Sequence, residues 1–111
     1  MESKQAVATL SALAHDTRLD LFRLLVKAGD GGLAAGAIAD ALHVAPSTLS
    51  HHLTLLEGAG LISARRESRH IFYAVAVPAV RALLGYLTED CCGGRPELCA
   101  PLTANKEHCN G

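Results

Sequence analysis

The chain has 111 residues, a formal net charge of −1, and an apolar content of 50%. This length suits one domain, and a lone domain of this size buries only a modest fraction of its surface, so we expect a dimer. The charge excludes a broadly basic protein, so any surface for nucleic acid must be local.

The N-terminal segment does not resemble a targeting signal. It starts acidic and polar and lacks the continuous apolar core of a signal peptide. No apolar run approaches the roughly 18 residues that a transmembrane helix needs. We therefore expect a cytoplasmic protein whose thiols stay reduced.

Apolar periodicity predicts four helices in the first half of the chain. Asp16 is expected to cap the second helix, and Asp16 and Arg18 are interpreted as charges at its start. A three-residue turn, His43–Ala45, separates the third helix from the fourth, which Pro46 opens. The predicted helices span residues 5–14, 17–28, 35–42 and 46–57.

After Gly60 the pattern changes from helical to alternating, which predicts a β-hairpin with a charged tip. Pro78 then opens a last helix that ends near Leu87, and a Gly- and Pro-containing tail follows. The predicted fold is mostly α with a small β-hairpin. It is a winged helix-turn-helix with about five helices and a two-stranded wing.

A winged helix-turn-helix contacts DNA with the second helix of its helix pair. That helix must expose short polar side chains near its N-terminus, where they reach base edges and phosphates. The hairpin tip carries the basic cluster of the chain, where a wing meets the DNA backbone. Because adjacent helical residues face different ways, one of the His51–His52 pair is expected to pack inward. The predicted DNA-binding residues are Ser47, Thr48, Ser50, His51, His52, Arg65, Arg66 and Arg69.

Two segments resemble the ArsR/SmtB family of metal-sensing repressors. ALAHDTRLDLFRLL is similar to that family's opening helices, and APSTLSHHLTLLEGAGLISARRESRHIFYAV to its recognition helix and wing. The resemblance covers about residues 6–87. It implies a homodimer, paired through the first and last helices, that represses its own operon and releases operator DNA when an inducer ion binds. Ala45 and Pro46 depart from the Ser-Gln that family members usually place there, which bears on operator preference.

The resemblance also implies where a sensor site belongs. The family's Cys-Val-Cys site in the third helix corresponds to residues 34–36, which contain no thiol. Its zinc site on the last helix uses Asp and His, and residues 78–90 contain no His. The N-terminal cysteines of a third type are absent too. What remains is Cys91, Cys92 and Cys99, with Cys109 further on.

Three thiolates suit As(III) or Sb(III), because these thiophilic ions accept a pyramid of three sulfur ligands. We therefore expect a homodimeric repressor of double-stranded operator DNA, with As(III) or Sb(III) as inducer on Cys91, Cys92 and Cys99. Residues 1–90 would form the DNA-binding and dimerisation domain. Residues 91–111 would form a sensor tail.

Other roles for the tail thiols stay open. Zinc or cadmium would require a fourth ligand, which Cys109 or His108 could supply. A dithiol redox or persulfide switch needs only two cysteines. The cluster could also have no role, or the protein could be a small thiol-rich metal buffer. An enzyme is not expected, because no nucleophile–base–orienter constellation or phosphate loop is visible.

Overall fold

The computed structural model describes residues 1–88, which form a winged helix-turn-helix. The fold class predicted from the sequence is confirmed. Within these residues the helices are α1 (Ser3–Leu13), α2 (Asp16–Ala28), α3 (Ala35–Leu42), α4 (Pro46–Gly58) and α5 (Val77–Leu87). The strands are β1 (Leu33–Ala34), β2 (Ile62–Glu67) and β3 (His70–Val75).

The start of α2 differs from the prediction. Asp16 already lies inside the helix, and the N-cap is His15. The imidazole Nδ1 of His15 accepts a hydrogen bond from the backbone N–H of Thr17, 3.1 Å away. An N-cap side chain needs an acceptor within reach of the first free N–H groups, and here an imidazole nitrogen fills that role.

The core lies where α2, α3 and α4 meet. Leu21 and Leu25 of α2 are fully buried, as is Ile38 of α3. Each leucine or isoleucine that leaves water in this way stabilises the fold by about 1.5–3 kcal/mol. The helical spacing of three leucines on α4 predicts an inner stripe. The structure confirms it, since the three are at most 3% exposed: Leu49, Leu53 and Leu56.

The many apolar residues of α2 predict a broad buried face, but the face that is buried in the structure is narrower. Leu19 is 45% exposed and Val26 is 54% exposed, so neither belongs to the core. Burial instead follows Leu21 and Leu25, which are four residues apart and therefore share one side of the helix.

The wing belongs to a three-stranded antiparallel sheet of order β1-β3-β2. The β2–β3 hairpin was predicted, but the two-residue strand β1 was not. In β1, Leu33 pairs with Tyr73 and Ala34 pairs with Phe72. This pairing ties the start of α3 to the wing.

Several apolar side chains of α1 and α5 face outward. Val7 and Leu10 of α1 are 60% and 42% exposed, and Leu84 and Leu87 of α5 are 38% and 51% exposed. Such an apolar surface is typical of a protein–protein contact. Across residues 1–88, no helix combines the length and apolar character that a bilayer crossing requires.

Candidate nucleic-acid interface

The turn between α3 and α4 sets the angle at which α4 is presented. His43 ends α3 in the left-handed conformation, with φ of 57°. The N–H of Val44 then donates to the carbonyl oxygen of Ala39, 3.2 Å away. Ala45 is extended, and Pro46 starts α4 with the φ angle that a first helical turn needs. Together these residues build the helix-turn-helix.

The exposed N-terminal part of α4 is polar. Ser47, Thr48, Ser50 and His51 are all exposed. The N-cap residue Ala45 has no side chain that could accept a hydrogen bond from the first turn. Free N–H groups at a helix N-terminus, next to short hydroxyl side chains, suit phosphate oxygens and base edges.

His52 is not part of this exposed surface. It is only 6% exposed and points into the protein, whereas its neighbour His51 is exposed. The prediction that His52 contacts DNA is therefore wrong for this structure. Consecutive helical residues are about 100° apart around the axis, so two adjacent histidines can face different environments, as His51 and His52 do here.

His52 instead meets a small polar cluster from the α1–α2 corner. The Nη1 atom of the Arg18 guanidinium is 3.3 Å from Nδ1 of His52. The rings of His15 and His52 are 4.8 Å apart between centroids. Burial lowers the pKa of His52, and the neighbouring His15, Arg18 and His51 lower it further because a second positive charge is unfavourable there. His52 therefore stays neutral near pH 7.

Arg18 has a different role from the one that its sequence position indicates. Its Nε donates a hydrogen bond to the carbonyl oxygen of Ala12, in the last turn of α1. Arg18 thus supplies a hydrogen-bond donor to the C-terminal end of α1, rather than acting at the start of its own helix. Sequence reasoning missed this contact, because the approach of Ala12 to Arg18 depends on the path of the α1–α2 turn.

On the wing, Arg65 is engaged by its surroundings. Its Nε lies 2.8 Å from a carboxylate oxygen of Glu67, and its Nη2 donates to the carbonyl oxygen of Gly31 at 3.2 Å. The guanidinium also lies 5.3 Å from the centre of the Phe72 ring, its cross-strand neighbour. The Arg65–Glu67 pair is exposed and contributes little to stability. Arg65 therefore connects strand β2 to strand β3 and to the segment before β1.

Arg66 and Arg69 are the freer charges of the wing. Both are exposed, and within residues 1–88 neither side chain forms a hydrogen bond or an ion pair. Ser68, at the hairpin turn, has φ of 58°, which lets a two-residue turn present Arg69 beside the strands. These two arginines are the wing residues best suited to phosphate contact.

The predicted inducer ligands lie outside the described residues: Cys91, Cys92 and Cys99, as well as Cys109. In the described part of the chain, no group of three or more His, Cys, Asp or Glu side chains could hold a metal ion. Ala34 lies in β1, and Ala35 and Gly36 start α3, so the family's third-helix site has no donor atoms here.

Comparison with known proteins supports the same kind of molecule. A family model described as "Helix-turn-helix domain" matches residues 13–64. The nodulation protein NolR of Rhizobium meliloti is 35% identical over 88 residues, covering 79% of this chain and 70% of NolR.

Two solved structures extend the likeness to the fold. HlyU from Vibrio cholerae is 32% identical with a TM-score of 0.65, and the match covers 83% of this chain and 99% of HlyU. The second, Mb0332 from Mycobacterium bovis, is described as a homodimeric winged helix-turn-helix DNA-binding domain and a possible ArsR-family regulator. It is 32% identical with a TM-score of 0.63, over 78% of this chain and 81% of that domain.

Proposed function

The chain belongs to the ArsR family of winged helix-turn-helix transcriptional regulators, and from this premise we propose that it is a homodimeric repressor that As(III) or Sb(III) releases from operator DNA. Its relatives are DNA-binding regulators rather than enzymes. The observation that carries the DNA-binding part is the polar, exposed start of α4, together with the exposed Arg66 and Arg69 of the wing.

The proposed dimer follows from the outward apolar residues of α1 and α5. Val7 of α1 and Leu84 of α5 belong to an exposed apolar surface, which a second copy of the chain would cover. Two recognition helices would then enter successive major grooves about 34 Å apart, so the operator should be an imperfect palindrome. The homodimeric description of Mb0332 supports this arrangement.

The proposed inducer follows from the donor atoms of the chain. Residues 1–88 offer no metal-binding cluster, so the thiols of the tail are the remaining soft ligands. Cys91, Cys92 and Cys99 would supply three thiols. Each thiol proton would leave as water with one hydroxyl group of arsenous acid, As(OH)3, while three sulfur–arsenic bonds form. Cys91 follows the end of α5 by four residues, so ligand binding there would act close to the proposed dimer interface.

Release of DNA requires a free-energy coupling between the two sites. A hundredfold loss of operator affinity corresponds to about 2.7 kcal/mol, and DNA must weaken inducer binding by the same factor. We infer that gathering the thiolates reshapes the region after α5 and changes the spacing of the two recognition helices.

Titration of the reduced protein with sodium arsenite tests the proposal. The readout is fluorescence anisotropy of a labelled duplex that the protein itself selects from a random pool. We expect arsenite to release the duplex, and Cys91→Ser, Cys92→Ser and Cys99→Ser to bind DNA normally but resist release. Cys109→Ser is the matched control and should respond like the wild type.

The other outcomes identify the rival functions. If DNA stays bound in excess arsenite, the inducer assignment fails. Release by peroxide or polysulfide without arsenic would indicate a thiol redox or persulfide switch. Release by zinc or cadmium alone would indicate a divalent-metal sensor. A protein that binds arsenite but no selected duplex would be a metal buffer rather than a repressor.

A further inference from the structure

Arg18 links the end of one helix to the buried side of another. Its Nε donates to the Ala12 carbonyl of α1, and its Nη1 meets Nδ1 of His52 on α4. We propose that Arg18 is a positioning residue for DNA binding, which fixes the recognition helix α4 against α1 through His52. The inference rests on the DNA-binding part of the proposed function and is independent of the inducer.

The α1 side of this bridge follows from helix chemistry. Ala12 is the penultimate residue of α1, so its carbonyl oxygen has no N–H partner further along the helix. The C-terminal end of a helix also carries a partial negative charge, which favours a nearby cation. Arg18 provides both a donor and a positive charge at this point. The contact with the end of α1 therefore fixes the position of the Arg18 side chain.

On the α4 side of the bridge, the contact with Arg18 determines which ring nitrogen of His52 carries the proton. A guanidinium has only donors, so Nδ1 of His52 must accept the hydrogen bond, and the ring proton must lie on Nε2. His15 packs against the same ring, and its own Nδ1 is held by the N–H of Thr17. The orientation of the His52 ring is thus defined from two directions, by Arg18 and by His15.

Fixing His52 also fixes the residues that face outward on α4. His51 and Ser50 precede it directly, about 100° and 200° around the helix axis. A rotation or shift of α4 that broke the bond to Arg18 would therefore redirect these exposed side chains. Because α1 carries part of the proposed dimer surface, the bridge also relates each recognition helix to the partner subunit.

The nature of the hydrogen bond suggests a matched pair of variants. In His52→Asn, the amide oxygen can replace Nδ1 as acceptor for Arg18. His52→Leu fills the same space without an acceptor. We expect His52→Leu to weaken binding of the selected duplex about tenfold, or about 1.4 kcal/mol, and His52→Asn to remain within about threefold of the wild type. A purely space-filling role for His52 would not distinguish these variants in this order.

A second comparison uses Arg18 itself. Lysine keeps the positive charge near the end of α1, but it cannot hold two acceptors with a planar fork. Arg18→Lys should therefore keep most of the thermal stability and still lose about tenfold in DNA affinity. Arg23→Lys, at an exposed position of the same helix, is the control and should bind DNA like the wild type.

The double variant Arg18→Lys/His52→Leu completes the experiment. If the two residues act as one unit, it should bind DNA no more weakly than the weaker single variant. Losses that add would overturn the proposal, and so would equal affinities of His52→Asn and His52→Leu, or wild-type affinity in Arg18→Lys. A wild-type protein that selects no duplex would instead refute the proposed DNA-binding function.

Discussion

Gly32 lies so close to the backbone of Tyr73 that a β-carbon at Gly32 would overlap the Tyr73 carbonyl oxygen. Gly32 also has a φ angle of +71°, which L-residues with a side chain rarely adopt. The close approach is what lets β1 pair with β3. Gly32 is therefore required by both the space and the backbone conformation.

Gly32→Ala should lower the free energy of unfolding by about 2–4 kcal/mol, since it combines overpacking with a left-handed backbone. Gly31→Ala is the matched control, because a β-carbon there meets only open space. It should change the free energy of unfolding by less than about 0.5 kcal/mol. Urea denaturation measures both, and similar losses in the two variants would contradict the assigned role of Gly32.

The proposed dimer surface can be tested with a buried charge. Val7→Asp on α1 or Leu84→Asp on α5 would place a carboxylate in an apolar contact, where desolvation disfavours it. The dimer dissociation constant should rise at least about a hundredfold, or about 2.7 kcal/mol. Sedimentation equilibrium measures this change.

Val26→Asp is the control for the dimer variants. Val26 is also apolar and 54% exposed, but it belongs to α2 and borders only the start of α5, at Val77 and Val80, rather than Val7 or Leu84. It should leave the dimer intact. Dissociation caused by Val26→Asp alone would move the interface to the α2 side of the molecule.

Arg66 of the wing should contribute to DNA binding by an electrostatic contact with a phosphate of the DNA backbone. Each phosphate contact that is lost reduces the dependence of log K on log salt by about 0.9. Arg66→Gln should therefore lower the slope by about 0.9 for each protomer and weaken binding to all sequences alike. Affinity measured across a salt series provides the test, with the exposed Arg23→Gln on α2 as control. Equal slopes for the wild type and Arg66→Gln would remove Arg66 from the interface.

Stability should depend on pH through His52. The pKa of His52 is lowered in the folded protein, chiefly by burial, from an unfolded value of about 6.5. Below that pH the unfolded chain binds a proton more readily than the folded one. The stabilisation is therefore complete above about pH 6.5 and is lost as the pH falls through the folded pKa.

Urea unfolding of the wild type and His52→Asn at pH 7 and at lower pH measures this effect. The wild type should lose more stability on acidification than His52→Asn, which has no titrating group at this position. All other residues are common to both proteins, so the difference between the two acid dependences reports the substitution at position 52. An identical acid dependence of the two proteins would contradict neutral burial of His52.

The sequence predicted those parts of the molecule that repeat a local pattern. Leu49, Leu53 and Leu56 recur at helical spacing, and that spacing alone identified the inner side of α4. In the same way, alternation and β-branched residues identified the wing. These features depend on neighbours in the chain, so one sequence suffices to find them.

The missed features depend on contacts between distant segments. β1 has only two residues, too few to show any period, and its existence depends on pairing with β3. Arg18 and His52 are polar residues whose partners become visible only when α1, α2 and α4 are packed. The helical geometry of adjacent residues indicated that one of the two histidines packs inward, but it could not show that this residue is His52.

The pairing of β1 with β3, together with the bond from Arg65 to the Gly31 carbonyl, has a consequence for the thermodynamics of association. A hairpin attached only at its base would lose conformational entropy when DNA immobilises it. In this protein the cost of ordering the wing is met during folding, so little of the DNA contact energy is spent on it. We therefore expect ordering of the wing to contribute little to the conformational entropy that is lost when DNA binds.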